Sequence, residues 1–156
     1  MTRKTEKRMR LCLGLIVCNL VFIWGNSLLP GSVSGAISDW VKDILSFIFH
    51  LGNDGPEEGG GFLRKLAHFT EFASLGLLLS WLFAMLKKTP GLPLLCGFLA
   101  ACLDETIQRF VPGRGPSIKD VCIDTAGALL GVVIFLLGLK IYHKYHRRKQ
   151  LEDTKL

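Results

Sequence analysis

A chain of 156 residues is long enough for one domain, but 49% of it is hydrophobic and its mean hydropathy is +0.37. That excludes an ordinary soluble domain and points to an integral membrane protein. The formal charge of +6 is concentrated beside apolar segments, which suits anionic lipid headgroups better than nucleic acid.

Four apolar runs, near 11–29, 66–86, 92–108 and 121–142, each approach the ~20 residues that cross a bilayer as a helix. The expected fold is all-α, an integral membrane four-helix bundle. Arg3, Lys4, Lys7, Arg8 and Arg10 precede the first run. A basic start before an apolar core is also the pattern of a cleaved signal. Here the core, 11–25, is at the upper limit for one and "GSVSGA" is only a passable cleavage site, so the first helix is expected to be uncleaved.

In the long loop that follows, "AISDWVKDILSFIFH" (36–50) sets Ile37, Trp40, Val41, Ile44, Leu45 and Ile48 on one helical side. This is a short amphipathic helix for the outer surface, resting on lipid or on the bundle rim. "GNDGPEEGGG" (52–61) reads as a flexible connector. The third run is the weakest span, because only 12 residues, Leu92 to Leu103, precede Asp104. It crosses only if its polar last turns lie in protein, with Asp104 expected at the rim. In the fourth run Gly127 and Gly131, four apart, permit close approach of a neighbouring helix. The five cysteines (12, 18, 96, 102, 122) lie in or beside apolar runs without paired spacing and read as buried thiols.

Orientation follows from the positive-inside rule. Thirteen of the 19 Lys and Arg precede helix one, fill the Lys87–Lys88 turn or follow helix four, while ten of the 13 acids lie on the other half. Both termini are therefore expected in the cytoplasm of a multi-pass cell-membrane protein. The loops at 30–65 and 109–120 then face outward.

The polar groups of three helices gather at that outward end. Helix two begins with Arg64, Lys65, His68 and Glu71; helix three ends with Asp104, Glu105, Gln108 and Arg109; helix four begins with Asp120 and Asp124. At 1.5 Å per residue, His68 and Glu71 sit roughly 6 and 10 Å below Arg64, inside the headgroup boundary. An ionisable group at mid-bilayer costs on the order of 3 kcal/mol, less near the interface, so these groups are expected to face one another. The Gly/Pro loop "VPGRGPS" (111–117) holds Arg114 above them. His68, Glu71, Glu105 and Asp120 are mixed N/O donors, but a single histidine beside several cations is a poor metal site, and neither metal nor cofactor is expected.

At these residues the chain resembles the VanZ-like membrane proteins. The resemblance lies in "RKLAHFTEF" (64–72), "DETIQRFVPGRGPSIKDVCIDTAGALLG" (104–131) and, more weakly, "WGNSLLPG" (24–31). It implies that Lys65, His68, Glu105, Gln108, Arg114 and Asp120 occupy signature positions. Two positions depart from the pattern: Asp124 stands where the family has Asn, and Phe72 where Tyr is common. The implied organisation is a basic cytoplasmic N-terminus (1–10), a VanZ-like four-helix transmembrane domain (11–142) and a basic cytoplasmic tail (143–156). The implied function is reduced susceptibility to lipoglycopeptides such as teicoplanin, which act at the outer membrane face. No established reaction comes with the resemblance.

Two functional classes fit the residues. In one, the cleft binds an anionic membrane lipid, a lipid-linked cell-wall precursor or a lipoglycopeptide, through Lys65, Gln108, Arg114, Asp124 and Glu71, with Arg64 on phosphate. In the other, it is a membrane hydrolase or transferase acting on a phosphorylated lipid. There His68 is the general base, Glu105 or Asp120 orients it, and Arg114 stabilises developing charge. No nucleophile elbow or phosphatase signature chooses between them. Nothing in the sequence sets an oligomeric state, and no nucleic-acid partner is expected.

The topology is testable by cysteine labelling in intact cells with a variant stripped of native thiols. A probe cysteine at Gly59 should be modified and one at Gln150 spared; the reverse pattern would remove the outward site.

Overall fold

The computed structural model describes residues 2–49 and 59–153, and it is all-α. Five helices follow in order: α1 (Arg3–Ser27), α2 (Gly31–Phe49), α3 (Gly59–Met85), α4 (Gly91–Gln108) and α5 (Ile118–Asp153). Most of the 52–61 connector lies outside the described residues. Thr2 caps α1 by accepting the Thr5 N–H on its hydroxyl, so the basic start is the first turns of α1 and not a separate tail. At the other end α5 has 36 residues, about 54 Å at 1.5 Å each, against a hydrocarbon core of ~30 Å. Its basic end, including Lys144, Arg147, Arg148 and Lys149, is therefore a helical extension with exposed side chains.

Among the described residues three helices are long and apolar enough to cross a membrane: Arg3–Ser27, Gly61–Met85 and Ile118–Leu151. α4 has 18 residues and two faces. Leu95, Phe98, Leu99 and Leu103 are exposed, whereas Gly97, Ala101, Asp104 and Gln108 share the buried side at spacings of three and four. Asp104, expected at the rim, is 0% exposed. The helical period carries it to the protein-facing side of α4, away from the leucine stripe.

α3 packs against all four other helices. Its Phe72, Leu75, Leu79 and Leu82 join Cys12, Ile16 and Ile23 of α1 and Ala101 of α4 in the buried core. The closest contact is with α5. A Cβ on Gly76 would meet the Ala128 carbonyl, one on Gly127 the Phe69 carbonyl, and one on Gly131 the Ala73 carbonyl. The two backbones touch along this seam, as the Gly127–Gly131 spacing predicts.

The observed α2 starts five residues before the expected boundary. Ser34 and Ser38 are its buried residues, and Ser38 Oγ donates to the Ser34 carbonyl at 3.0 Å. Ile37, Trp40 and Ile44 of the expected apolar face are exposed, so that face is not the one packed on the bundle. Cys12 is buried, but Cys18 and Cys122 sit on exposed helix faces, contrary to the expectation of buried thiols throughout.

Gly131→Ala should lower stability by about 1–3 kcal/mol, because its Cβ has no room against the α3 backbone. Gly138→Ala is the matched control, with nothing within 4 Å and better helix propensity. Unfolding midpoints in detergent compare the two, and equal midpoints would contradict the seam.

Candidate functional site

The seam brings the start of α3 beside the start of α5, and α4 supplies its last two turns from the third side. His68, one turn in from Arg64 on α3, is 9% exposed. Its Nδ1 lies 3.8 Å from Glu71 Oε2 and 4.0 Å from Asp104 Oδ2. The carboxylates beside that nitrogen are thus Glu71 and Asp104. Glu105 and Asp120, which sequence reasoning assigned to orient the imidazole, are engaged elsewhere. Glu105 Oε2 accepts the Ser117 backbone N–H at 2.7 Å, just ahead of the first turn of α5. Asp120 Oδ1 lies 3.7 Å from Lys65 Nζ in a partly exposed pair worth little by itself.

Gln108 is the linker within α4. Its Nε2 donates to Asp104 Oδ2 at 2.8 Å and to Ser27 Oγ at 3.3 Å. Asp124, the departure from the Asn pattern, is 2% exposed. His68, Asp104 and Asp124 each offer a donor atom, and these donors lie within 4.8 Å of one another. A cavity of about 10 Å³, room for about one water-sized species, is lined by His68, Gln108 and Asp124 together with Arg64, Lys65, Glu105 and Asp120.

Arg114 is placed by backbone contacts. Gly113 has a positive φ of 74°, and the Gly31 N–H donates to the Pro112 carbonyl at 3.1 Å. A Cβ on Gly31 would strike the Gly113 carbonyl, so the loop lies flush on the start of α2. From there Arg114 Nη2 donates to the Asn26 carbonyl at 3.0 Å, while Nε and Nη1 are buried without a partner among the described residues. Burial pushes the guanidinium below its usual pKa, and neighbouring Arg64 adds to the effect.

A second cavity, of about 180 Å³, opens beside them. Arg64, His68, Glu71 and Arg114 form its polar wall; Leu29, Ile37, Val41 and Leu63 form the apolar one. The linings of the two cavities carry four carboxylates (Glu71, Glu105, Asp120, Asp124) and three fixed cations (Arg64, Lys65, Arg114), with Asp104 buried beside them.

A family model described as VanZ/LLP1 matches residues 10–139. The chain belongs to the VanZ-like family. No curated protein and no solved structure matches it significantly. In this VanZ-like protein all the signature residues lie around the two cavities, but Gln108 serves Asp104, and Glu105 serves the start of α5. Arg109 points away and is exposed. Asn26 and Ser27 are the residues that sequence reasoning left without a role. Asn26 Nδ2 donates to Glu71 Oε1 at 2.9 Å, and both fall inside the "WGNSLLPG" motif that marked the end of α1.

Removing the Gln108 amide leaves the buried Asp104 carboxylate without its donor. Gln108→Leu should therefore cost about 1.5–3 kcal/mol, read as a lowered unfolding midpoint in detergent. A midpoint equal to wild type would show that this bond is dispensable.

Proposed function

We propose that this protein crosses the cell membrane four times, α1, α3, α4 and α5 being the spans, with both termini cytoplasmic. The outward cleft binds an anionic lipid or a lipid-linked cell-wall intermediate. One observation carries this reading: the larger cavity sets Arg64 and Arg114 opposite a wall of Leu29, Ile37, Val41 and Leu63. A phosphate headgroup matches guanidinium donors, and its acyl or prenyl chain matches the apolar wall. The α4 span is supported by its exposed leucine stripe and by the burial of Asp104, Glu105 and Gln108 inside protein. α2 serves as the amphipathic helix of the outer surface, with Ile37, Trp40 and Ile44 toward lipid. By family resemblance, such binding at the outer leaflet accounts for reduced susceptibility to lipoglycopeptides such as teicoplanin.

A second reading is a hydrolase or transferase acting on a phosphorylated lipid with His68 as general base. It is favoured by the position of His68, which lines both cavities with two carboxylates within 4.0 Å of Nδ1.

The two readings separate in nanodiscs loaded with polyprenyl phosphate, at matched abundance and unfolding midpoint. For binding, Arg114→Lys should weaken the interaction about tenfold or more, a loss of about 1.4 kcal/mol, because the forked donor set is lost. His68→Gln should change it by no more than about threefold, and lipoglycopeptide susceptibility in matched strains should follow the same order. Catalysis predicts the reverse: His68→Gln abolishes phosphate release while binding persists, since an amide takes no proton near neutral pH. Wild-type behaviour in both variants would remove the cleft from the function.

A further inference from the structure

We propose that His68, Asp104 and Asp124 form a binding site for one divalent metal cation, Mn²⁺ or Zn²⁺, beside the smaller, water-sized cavity. The donors come from three helices, α3, α4 and α5, and lie within 4.8 Å of one another. A cation about 2.1 Å from each donor sets them ~3 Å apart, so modest side-chain rotation closes the shell. All three residues are buried, at 9%, 0% and 2% exposure.

Beyond the clustering, the buried donors point to a ligand. Asp104 is fully buried, yet its Oδ1 has no hydrogen-bond partner among the described residues, and His68 Nδ1 has none either. Burying such groups unpaired is costly, and a cation relieves both at once. Gln108 donates at 2.8 Å to the same Asp104 Oδ2 that lies 4.0 Å from His68 Nδ1, which fixes the orientation of the carboxylate and leaves Oδ1 for a further ligand. The adjoining cavity of about 10 Å³ has room for one water-sized species as a further ligand.

Charge favours the same conclusion. The four carboxylates that line the cavities, together with Asp104 of the donor set, outnumber the three fixed cations. Arg64 and Arg114 act on His68 electrostatically, but no Lys or Arg forms a salt bridge with a donor residue among the described residues. Lys65 is 45% exposed and pairs with Asp120, and Arg114 is turned to the Asn26 carbonyl. One imidazole with two carboxylates suits a borderline or hard divalent ion, and no cysteine belongs to the cluster to select a softer one. Asp124 is essential to this set: the Asn common in the family at that position would supply a neutral oxygen. The site does not depend on lipid binding, although an ion there would place positive charge near a bound phosphate.

The test uses the full-length protein in a non-ionic detergent, stripped with EDTA and titrated with Mn²⁺ without added lipid. One Mn²⁺ per chain is expected, displaced by Zn²⁺ as the order of divalent affinities requires. Asp104→Asn and Asp124→Asn should each weaken uptake at least tenfold, while Asp39→Asn on the exposed side of α2 leaves it unchanged. Pulsed electron paramagnetic resonance should detect ¹⁴N coupling from the imidazole, lost in His68→Gln. No saturable uptake by wild type, uptake unaltered in both Asp variants, or bound Mn²⁺ without nitrogen coupling would each overturn the site. The wild-type measurement decides alone if a variant does not fold. Polyprenyl phosphate binding that persists in metal-free wild type leaves the lipid reading standing on its own.

Discussion

Charged side chains placed among apolar surfaces have to face one another, and the architecture follows from meeting that requirement at one end of the bundle. Unpaired, each would cost several kcal/mol in hydrocarbon. Packed together they exchange solvation for hydrogen bonds: Gln108 to Asp104, Asn26 to Glu71, Ser117 to Glu105. This works only if the three helices that carry them approach closely at that end. The glycines at the α3–α5 seam supply that approach, with backbone against backbone at Gly76, Gly127 and Gly131.

The same requirement explains the division of α4. Its apolar stripe and its polar face follow the 3.6-residue period, so one helix presents Leu95, Phe98, Leu99 and Leu103 outward while Asp104 and Gln108 turn inward. The uninterrupted apolar stretch ends at Leu103, 12 residues counted from Leu92, which is why α4 falls short of a span by length and composition. The loop after it continues the arrangement, since Gly113 and Gly31 bring Arg114 flush onto the end of α1.

Two cavities of different character result. The smaller is walled almost wholly by charged and amide groups and sits between α3, α4 and α5. The larger has one polar and one apolar wall and borders α2. His68 belongs to both, so a change at either cavity reaches the other through one imidazole. The lipid recognition and the cation binding proposed above would be neighbouring consequences of one buried polar cluster.

The sequence by itself determined the all-α class, the spans at α1, α3 and α5, the glycine seam and the gathering of Lys65, His68, Glu105, Gln108, Arg114 and Asp120 at one end. Each of these is written in local quantities: hydropathy over about 20 residues, helical period, and small-residue spacing. Pairings between helices are not local. That Asp104 is buried and serves His68 and Gln108, that Glu105 turns to the start of α5, and that Asn26 and Ser27 complete the network depend on the rotation of each helix about its axis. A rotation of a third of a turn exchanges a rim residue for a buried one, and that angle is set by the contact of α3 with α5 and of α4 with both. The docking side of α2 was left open for a related reason. Its apolar stripe marks a face that avoids water, and lipid and protein interior both meet that need; only the docked structure decided that Ser34 and Ser38 face inward.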